Sequence, residues 1–152
     1  MYATGFRSPS KGVLFSLGPI EDKYALVEEV RAIGEELGLP IFATEGTAEA
    51  LERIGIACQR TSKHLIEGAI AMSLFTEGRI DLGVNIPREY DRLGLPDGYL
   101  IRRRAVEAGI PLITDLQSAR AIIAALRALS GSTAKVLAWQ DYIARDARPL
   151  QR

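Results

Sequence analysis

Apolar residues along this chain change repeatedly between short continuous runs and helical spacing. Residues 13–17 form a compact apolar run, and residues 21–37 then repeat apolar side chains at Leu26, Val30 and Ile33. A continuous run followed by a period near 3.6 is typical of a buried strand and then an amphipathic helix. The pattern therefore predicts a strand followed by a helix at the start of the domain.

The same unit recurs four more times. Apolar strands with little alternation, separated by helices, are typical of a parallel sheet that is covered on both faces. We therefore predict an α/β fold, a three-layer doubly wound sandwich with a five-stranded parallel sheet. The further strands are predicted at 41–43, 56–59, 80–84 and 112–114, and the further helices at 48–54, 65–77, 99–108 and 116–129.

Three segments follow from the pattern. Residues 1–12 are predicted to be a linker or hinge, residues 13–130 the domain itself, and residues 131–152 a C-terminal tail. The tail contains apolar residues such as Trp139 and Ile143, which predict that it docks on another surface. Residues 86–98 contain two prolines and two glycines and are expected to be irregular.

Charge and composition exclude several classes of protein. Lys and Arg together number 19, as do Asp and Glu, so a general binder of nucleic acid is not expected. One cysteine, Cys58, and one histidine, His64, provide neither an intrachain disulfide nor a structural zinc site, and no metal is expected. There is no membrane-length apolar stretch and no secretory signal. A soluble, cytoplasmic protein is predicted.

The stretch Thr44-Glu45-Gly46-Thr47 lies where the second predicted strand gives way to a helix. Unpaired N–H groups and the positive end of the helix dipole make such a position a receptor for an anion, typically phosphate. Short Thr/Gly turns also serve as helix caps without any ligand, and both interpretations remain open. Lys23, expected at the start of the first helix, and Lys63, after the third strand, are predicted to lie at the same edge of the sheet.

Other polar residues carry weaker signals. Asn85 follows the fourth predicted strand, where it either satisfies a turn or contacts a ligand, and both remain open. Consecutive helical residues do not share a face, so a structural or solvent role is predicted for the arginines at 102–104. His64 has no nucleophile in a recognisable setting, and nothing indicates shifted pKa values for Glu67 or Asp115. We assign no catalytic residue.

Several motifs together resemble the methylglyoxal synthase-like domain, and most closely the C-terminal allosteric domain of the carbamoyl phosphate synthetase large chain. The resemblance covers about residues 3–126 and implies a small effector-binding module that works beside synthetase catalytic domains absent from this chain. It implies no catalysis and no cofactor here, and it is compatible with a homo-oligomer. The motifs are Ala3-Thr4-Gly5-Phe6, Asp22-Lys23, Ala43-Thr44-Glu45-Gly46-Thr47, Asp81 to Pro87, Tyr99-Leu100-Ile101-Arg102-Arg103 and Gly109-Ile110-Pro111-Leu112.

The resemblance also implies the ligand contacts. An asparagine that contacts the base or ribose in the nucleotide-controlled members corresponds to Asn85, whereas Pro87 replaces a further threonine of the pattern. Lys63 stands where the N-acetylglutamate-activated members have a tryptophan, so UMP or IMP is favoured over N-acetylglutamate. The family's phosphate-binding positions are occupied by Ser16, Lys23, Thr44, Gly46, Thr47 and Lys63.

Three alternatives remain. A methylglyoxal synthase would use the same phosphate-binding residues but needs a carboxylate base, which that family supplies from a Gly-Gly-Asp run, where this chain has Lys63-His64-Leu65-Ile66-Glu67-Gly68. The related IMP cyclohydrolase fold carries a Lys-Thr-Leu-His-Pro-Lys type segment that is missing here. The third alternative is a docking domain whose effector pocket has decayed.

Overall fold

In the computed structural model, which describes residues 6–61, 69–87, 97–131 and 138–146, five parallel strands form one sheet with helices on both faces. The strands are β1 (Val13–Leu17), β2 (Ile41–Thr44), β3 (Gln59–Thr61), β4 (Leu82–Ile86) and β5 (Leu112–Ile113). The helices in these ranges are α1 (Ile20–Ala25), α2 (Val27–Glu35), α3 (Glu45–Arg53), α4 (Ala69–Thr76), α5 (Asp97–Glu107), α6 (Leu116–Leu129) and α7 (Trp139–Asp146).

The strand order is β3-β2-β1-β4-β5, and every neighbouring pair is parallel. From β1 the chain proceeds to one side through β2 and β3, and then crosses back to β4 and β5. The order therefore reverses between β1 and β4, which is where ligands bind in doubly wound sheets. The predicted fold class is confirmed.

Side chains of β1 enter two separate cores because alternate residues of a strand face opposite sides. Val13, Phe15 and Leu17 belong to the larger cluster, with residues of α2, α3 and α6. Leu14 belongs to the smaller cluster, with residues of α4 and α5. Burial on both faces explains why β1 has a continuous apolar pattern.

The helix predicted at 21–37 consists of two helices, α1 and α2, which meet at Leu26. Leu26 has φ −105° and ψ 11°, outside the helical region, yet it is fully buried, as are Val30 and Ile33. The apolar period therefore continues across the break, and periodicity alone does not reveal it.

Two predicted strands lie two or three residues too early in the sequence. β3 occupies 59–61 rather than 56–59, and β4 occupies 82–86 rather than 80–84. Ile56 and Ile80 are both buried, but they lie in the segments that lead into the strands. Core burial thus begins before strand pairing. As a result Thr61 and Asn85 lie inside strands and not in the loops that follow.

The helix predicted at 48–54 begins three residues earlier, at Glu45, so that Gly46 and Thr47 lie inside α3. The last helix of the domain is confirmed at 116–129, and α5 begins two residues earlier than predicted. Residues 65–68 of the third predicted helix, and 88–96 of the irregular segment, lie outside the described residues. None of the helices in the described ranges is long and apolar enough to cross a membrane.

The ends of the domain differ in how they contact it. The Asp81 carboxylate accepts hydrogen bonds from the backbone N–H groups of Ser10 (2.7 Å) and Gly12 (3.3 Å), which fixes the approach to β1. In α7, Trp139 and Ile143 are 73% and 51% exposed. Docking of the tail on another surface therefore stays a prediction.

A pH-dependent contribution to stability is expected from Asp115. Its carboxylate caps α6 by accepting a hydrogen bond from the Ser118 N–H at 2.8 Å, and this bond holds the pKa of Asp115 below its usual range. A carboxyl whose pKa is lowered on folding stabilises the protein above its unfolded pKa, and this contribution is lost as pH falls below about 4. Asp115→Ala should therefore lower the thermal midpoint at pH 7, with a smaller difference from wild type at pH 3.

Asp115→Asn is the matched control, because asparagine is an equally good cap that does not titrate. As the pH is lowered from 7 to 3, the thermal midpoint of Asp115→Asn should rise relative to that of the wild type, because only the wild type loses a charged cap. An alanine variant whose deficit is the same at both pH values would show that the cap does not contribute through its charge.

Candidate functional site at the carboxyl edge of the sheet

Four polar side chains form a row across the carboxyl ends of four adjacent strands. Thr61 pairs with Thr44 in the β3–β2 register, and Ser16 pairs with Asn85 in the β1–β4 register. Since Phe15 pairs with Ala43, Ser16 lies beside Thr44 and completes the row. All four are buried, with at most 5% of each residue exposed.

The row faces the side of the sheet that carries α4 and α5. Ser16 is two residues after Leu14, and Thr44 is two residues after Phe42, so each shares a face with an apolar member of the smaller core cluster. Ser16 and Asn85 lie on the two strands between which the order reverses. The apolar core of this face therefore ends in a polar row at the position where doubly wound sheets bind ligands.

Hydroxyl groups connect this row to the start of α3. The Thr47 hydroxyl accepts a hydrogen bond from the Leu17 N–H (2.9 Å) and donates to the Leu17 carbonyl (3.3 Å). The Thr44 Oγ1 lies 3.3 Å from the Thr47 Oγ1 and 3.5 Å from the Ser16 Oγ. A hydroxyl donates once, and the Thr47 O–H is directed to the Leu17 carbonyl, so Thr44 donates to Thr47 and Ser16 is left as the donor in the long 3.5 Å contact with Thr44.

Thr44 is the N-cap residue of α3, with φ −65° and ψ 150°, but its side chain makes no capping hydrogen bond. Its hydroxyl contacts side chains instead. The interpretation of this turn as a side-chain cap is therefore wrong, and the positive end of α3 receives no side-chain acceptor from Thr44.

Lys23 brings a buried cation to the same turn. The residue is 6% exposed, and its Nζ donates to the Gly46 carbonyl at 2.8 Å. A Cβ on Gly46 would lie 3.5 Å from this Nζ, so the ammonium group is in contact with the first turn of α3. The expected position of Lys23 at a helix start is wrong, because it lies in the last turn of α1.

Asn85 connects β4 to α5. Its Nδ2 donates to the Gly98 carbonyl at 2.9 Å, so the side chain does satisfy backbone, as one of the two interpretations held. This bond leaves the Oδ1 as an acceptor at the end of the row.

Thr61 and Arg102, which are not among the predicted ligand-binding residues, also lie at this edge. Within the described residues, only two buried side-chain nitrogen or oxygen atoms lack a hydrogen-bond partner, the Thr61 Oγ1 and the Arg102 Nη1. Thr61 was missed because the third strand was placed too early, and its register with Thr44 is the signal that reveals it. The structural or solvent role predicted for residues 102–104 agrees with Arg103 and Arg104, which are exposed and pair with Glu107, whereas the Arg102 Nη1 is buried and does not face solvent.

Of the seven predicted ligand-binding residues, the structure brings six to this edge of the sheet: Ser16, Lys23, Thr44, Gly46, Thr47 and Asn85. The seventh, Lys63, lies outside the described residues, and so does the segment 64–68. Its approach to Lys23 stays a prediction.

Outside this edge, the described residues show weaker candidates for a functional site. A cavity of about 520 Å³ lies near the amino ends of β2 and β3, but its Arg31 and Glu35 pair with each other at 3.1 Å. Burial raises the pKa of the Cys58 thiol at this cavity, which disfavours the reactive thiolate. The described ranges contain no group of three or more His, Cys, Asp or Glu side chains placed to hold a metal ion.

Comparisons with known proteins agree on one family. The family model described as "MGS-like domain" matches residues 25–114. The carbamoyl phosphate synthase large chain of Thermomicrobium roseum is 41% identical over 122 residues, which cover 80% of this chain and 11% of that protein. The large chain of Rubrobacter xylanophilus is 36% identical over 145 residues, 94% of this chain and 14% of that protein.

A solved structure supports the same fold. Methylglyoxal synthase from Elizabethkingia anophelis aligns with a TM-score of 0.59 and 18% sequence identity, over 95% of this chain and 99% of that one. The chain spans little more than a tenth of the length of the large chains that it matches. With its parallel sheet and the matches to both the family model and the large chains, this chain belongs to the MGS-like domain family.

Proposed function

We propose that this chain is a regulatory domain, or a separate regulatory subunit, of a carbamoyl phosphate synthetase large chain, and that it binds a nucleoside monophosphate such as UMP or IMP. The observation that carries the proposal is the buried Lys23 ammonium in contact with the first turn of α3, next to the polar row. In this proposal the chain performs no catalysis of its own. It signals the effector's presence to the synthetase catalytic domains.

The phosphate is proposed to bind at the start of α3. A phosphate monoester carries about 1.5 to 2 negative charges at neutral pH. Lys23 supplies a cation and the first turn of α3 supplies N–H groups. The Ser16 hydroxyl, which is held to Thr44 only by a 3.5 Å contact, would turn to supply a further donor. Lys63 is proposed as a second cation from its position in the sequence.

The nucleoside is proposed to extend along the row toward Asn85. Adjacent strands are about 4.8 Å apart, so the ends of β2 and β4, which flank β1, are separated by roughly 10 Å. An extended ligand with a phosphate at one end and a polar base at the other suits this arrangement. The Oδ1 of Asn85 would accept a hydrogen bond from the base or ribose.

Calorimetric titration of the protein with UMP, IMP and N-acetylglutamate tests the proposal. We expect saturable binding of UMP or IMP and much weaker binding of N-acetylglutamate, because the site offers a cation and helix amides to a phosphate. Absence of saturable binding for both nucleotides would contradict the proposal and favour a docking domain with a decayed pocket.

Incubation with dihydroxyacetone phosphate, followed by an assay for methylglyoxal, tests the lyase alternative. We expect no turnover, since the sequence lacks the Gly-Gly-Asp run that supplies the base in that family. Sustained formation of methylglyoxal by the purified chain would replace the regulatory assignment with an enzymatic one.

A further inference from the structure

We propose that Arg102 determines effector specificity by binding the base of the nucleotide. The inference rests on the proposed function and goes beyond it by assigning a residue and a ligand group. It is carried by the buried Arg102 Nη1, which has no hydrogen-bond partner in the described residues and lies beside Gly98, close to the Asn85 amide.

Arg102 and Asn85 converge on one point beside Gly98. Gly98 and Arg102 are four residues apart on α5, so the arginine side chain extends back over the glycine. A Cβ built on Gly98 would lie 2.9 Å from the Arg102 Nη1 and 3.2 Å from both the Nδ2 and the Oδ1 of Asn85. Any larger residue at 98 would therefore displace these groups. The glycine lets the guanidinium and the amide lie against the same stretch of backbone.

The Nη1 of Arg102 is buried and has no hydrogen-bond acceptor within the described residues. A guanidinium is always charged and cannot avoid the cost of a missing partner by losing a proton. The neighbouring Arg103 and Arg104 both pair with the Glu107 carboxylate, so Glu107 is already engaged by two other arginines of α5. A donor that is kept buried without an acceptor is consistent with an acceptor that arrives with a ligand.

The two groups select a specific ligand edge. Arg102 provides only donors, whereas the Asn85 Oδ1 provides an acceptor. Their complement is a carbonyl oxygen next to an N–H group, which is the edge of an oxo-pyrimidine or oxo-purine base. A sugar phosphate without a base has no such edge, and this difference makes the proposal testable.

The test compares UMP with ribose 5-phosphate in titrations of the wild type and of Arg102→Met, which keeps the length of the side chain but removes its donors. We expect the variant to lose about tenfold in affinity for UMP and nothing in affinity for ribose 5-phosphate. Because the variant removes an unsatisfied buried donor, the thermal midpoint of the free protein should be unchanged or higher. Arg103→Met, at an exposed position, is the matched control and should bind both ligands like the wild type.

Four outcomes would overturn the inference. Unchanged UMP affinity in Arg102→Met would show that the arginine does not contact the effector, while the proposed function stands. An equal loss for both ligands would assign Arg102 to the phosphate, and a lowered thermal midpoint with that equal loss would make it structural. If the wild type binds neither ligand, the proposed function and this inference fail together.

Discussion

Replacing Lys23 by methionine is expected to weaken UMP binding by about 1.5 to 3 kcal/mol, roughly 10- to 150-fold. Methionine approximates the apolar stem of lysine but removes the ammonium group in contact with the first turn of α3. The loss is large because a charge-assisted hydrogen bond to phosphate is made in a buried place, where water screens it poorly. Calorimetric titration of the variant with UMP measures the effect.

Lys11→Met is the matched control for this substitution. Lys11 is exposed and precedes β1, at the opposite edge of the sheet from the carboxyl ends, so its replacement should leave UMP affinity unchanged. A Lys23 variant that is folded by circular dichroism and binds UMP like the wild type would exclude the phosphate position proposed at α3.

Thr47→Val is expected to lower the free energy of unfolding by about 1 to 3 kcal/mol. Valine has nearly the shape of threonine, but it would leave the buried Leu17 N–H without its 2.9 Å acceptor and would remove the donor to the Leu17 carbonyl. This hydroxyl joins α3 to the end of β1, so the substitution also loosens the turn that is proposed to hold phosphate. Urea denaturation of the free protein measures the change.

Thr76→Val provides the same chemical change at an exposed position, where the hydroxyl donates to the Ser73 carbonyl at 3.2 Å. Its effect should stay within about 0.5 kcal/mol. Equal free energies of unfolding for Thr47→Val and Thr76→Val would contradict the prediction. The hydrogen bonds between Thr47 and Leu17 would then not stabilise the fold, and packing alone would hold the start of α3.

The fold and much of the candidate site follow from local sequence patterns. A strand that is buried on both faces is apolar at nearly every position, and Ser16 is the one polar residue of β1, so β1 is recognisable without knowledge of its neighbours. Parallel strands place their carboxyl ends at one edge, and this rule brings Ser16, Thr44 and Asn85 together once the strands are assigned approximately. The predicted β4 ends at 84 and puts Asn85 in the following loop, whereas the observed β4 includes it. In both cases Asn85 lies at the carboxyl edge of the sheet.

What the sequence by itself determined, then, was the alternation of strands and helices, the parallel sheet and the edge where polar residues gather. Only the tertiary structure decided that Thr61 is in register with Thr44, that Thr47 bonds to Leu17, and that Arg102 turns toward Asn85. The physical reason is that burial imprints a local period on the sequence, whereas register and side-chain direction depend on contacts between segments that are distant along the chain.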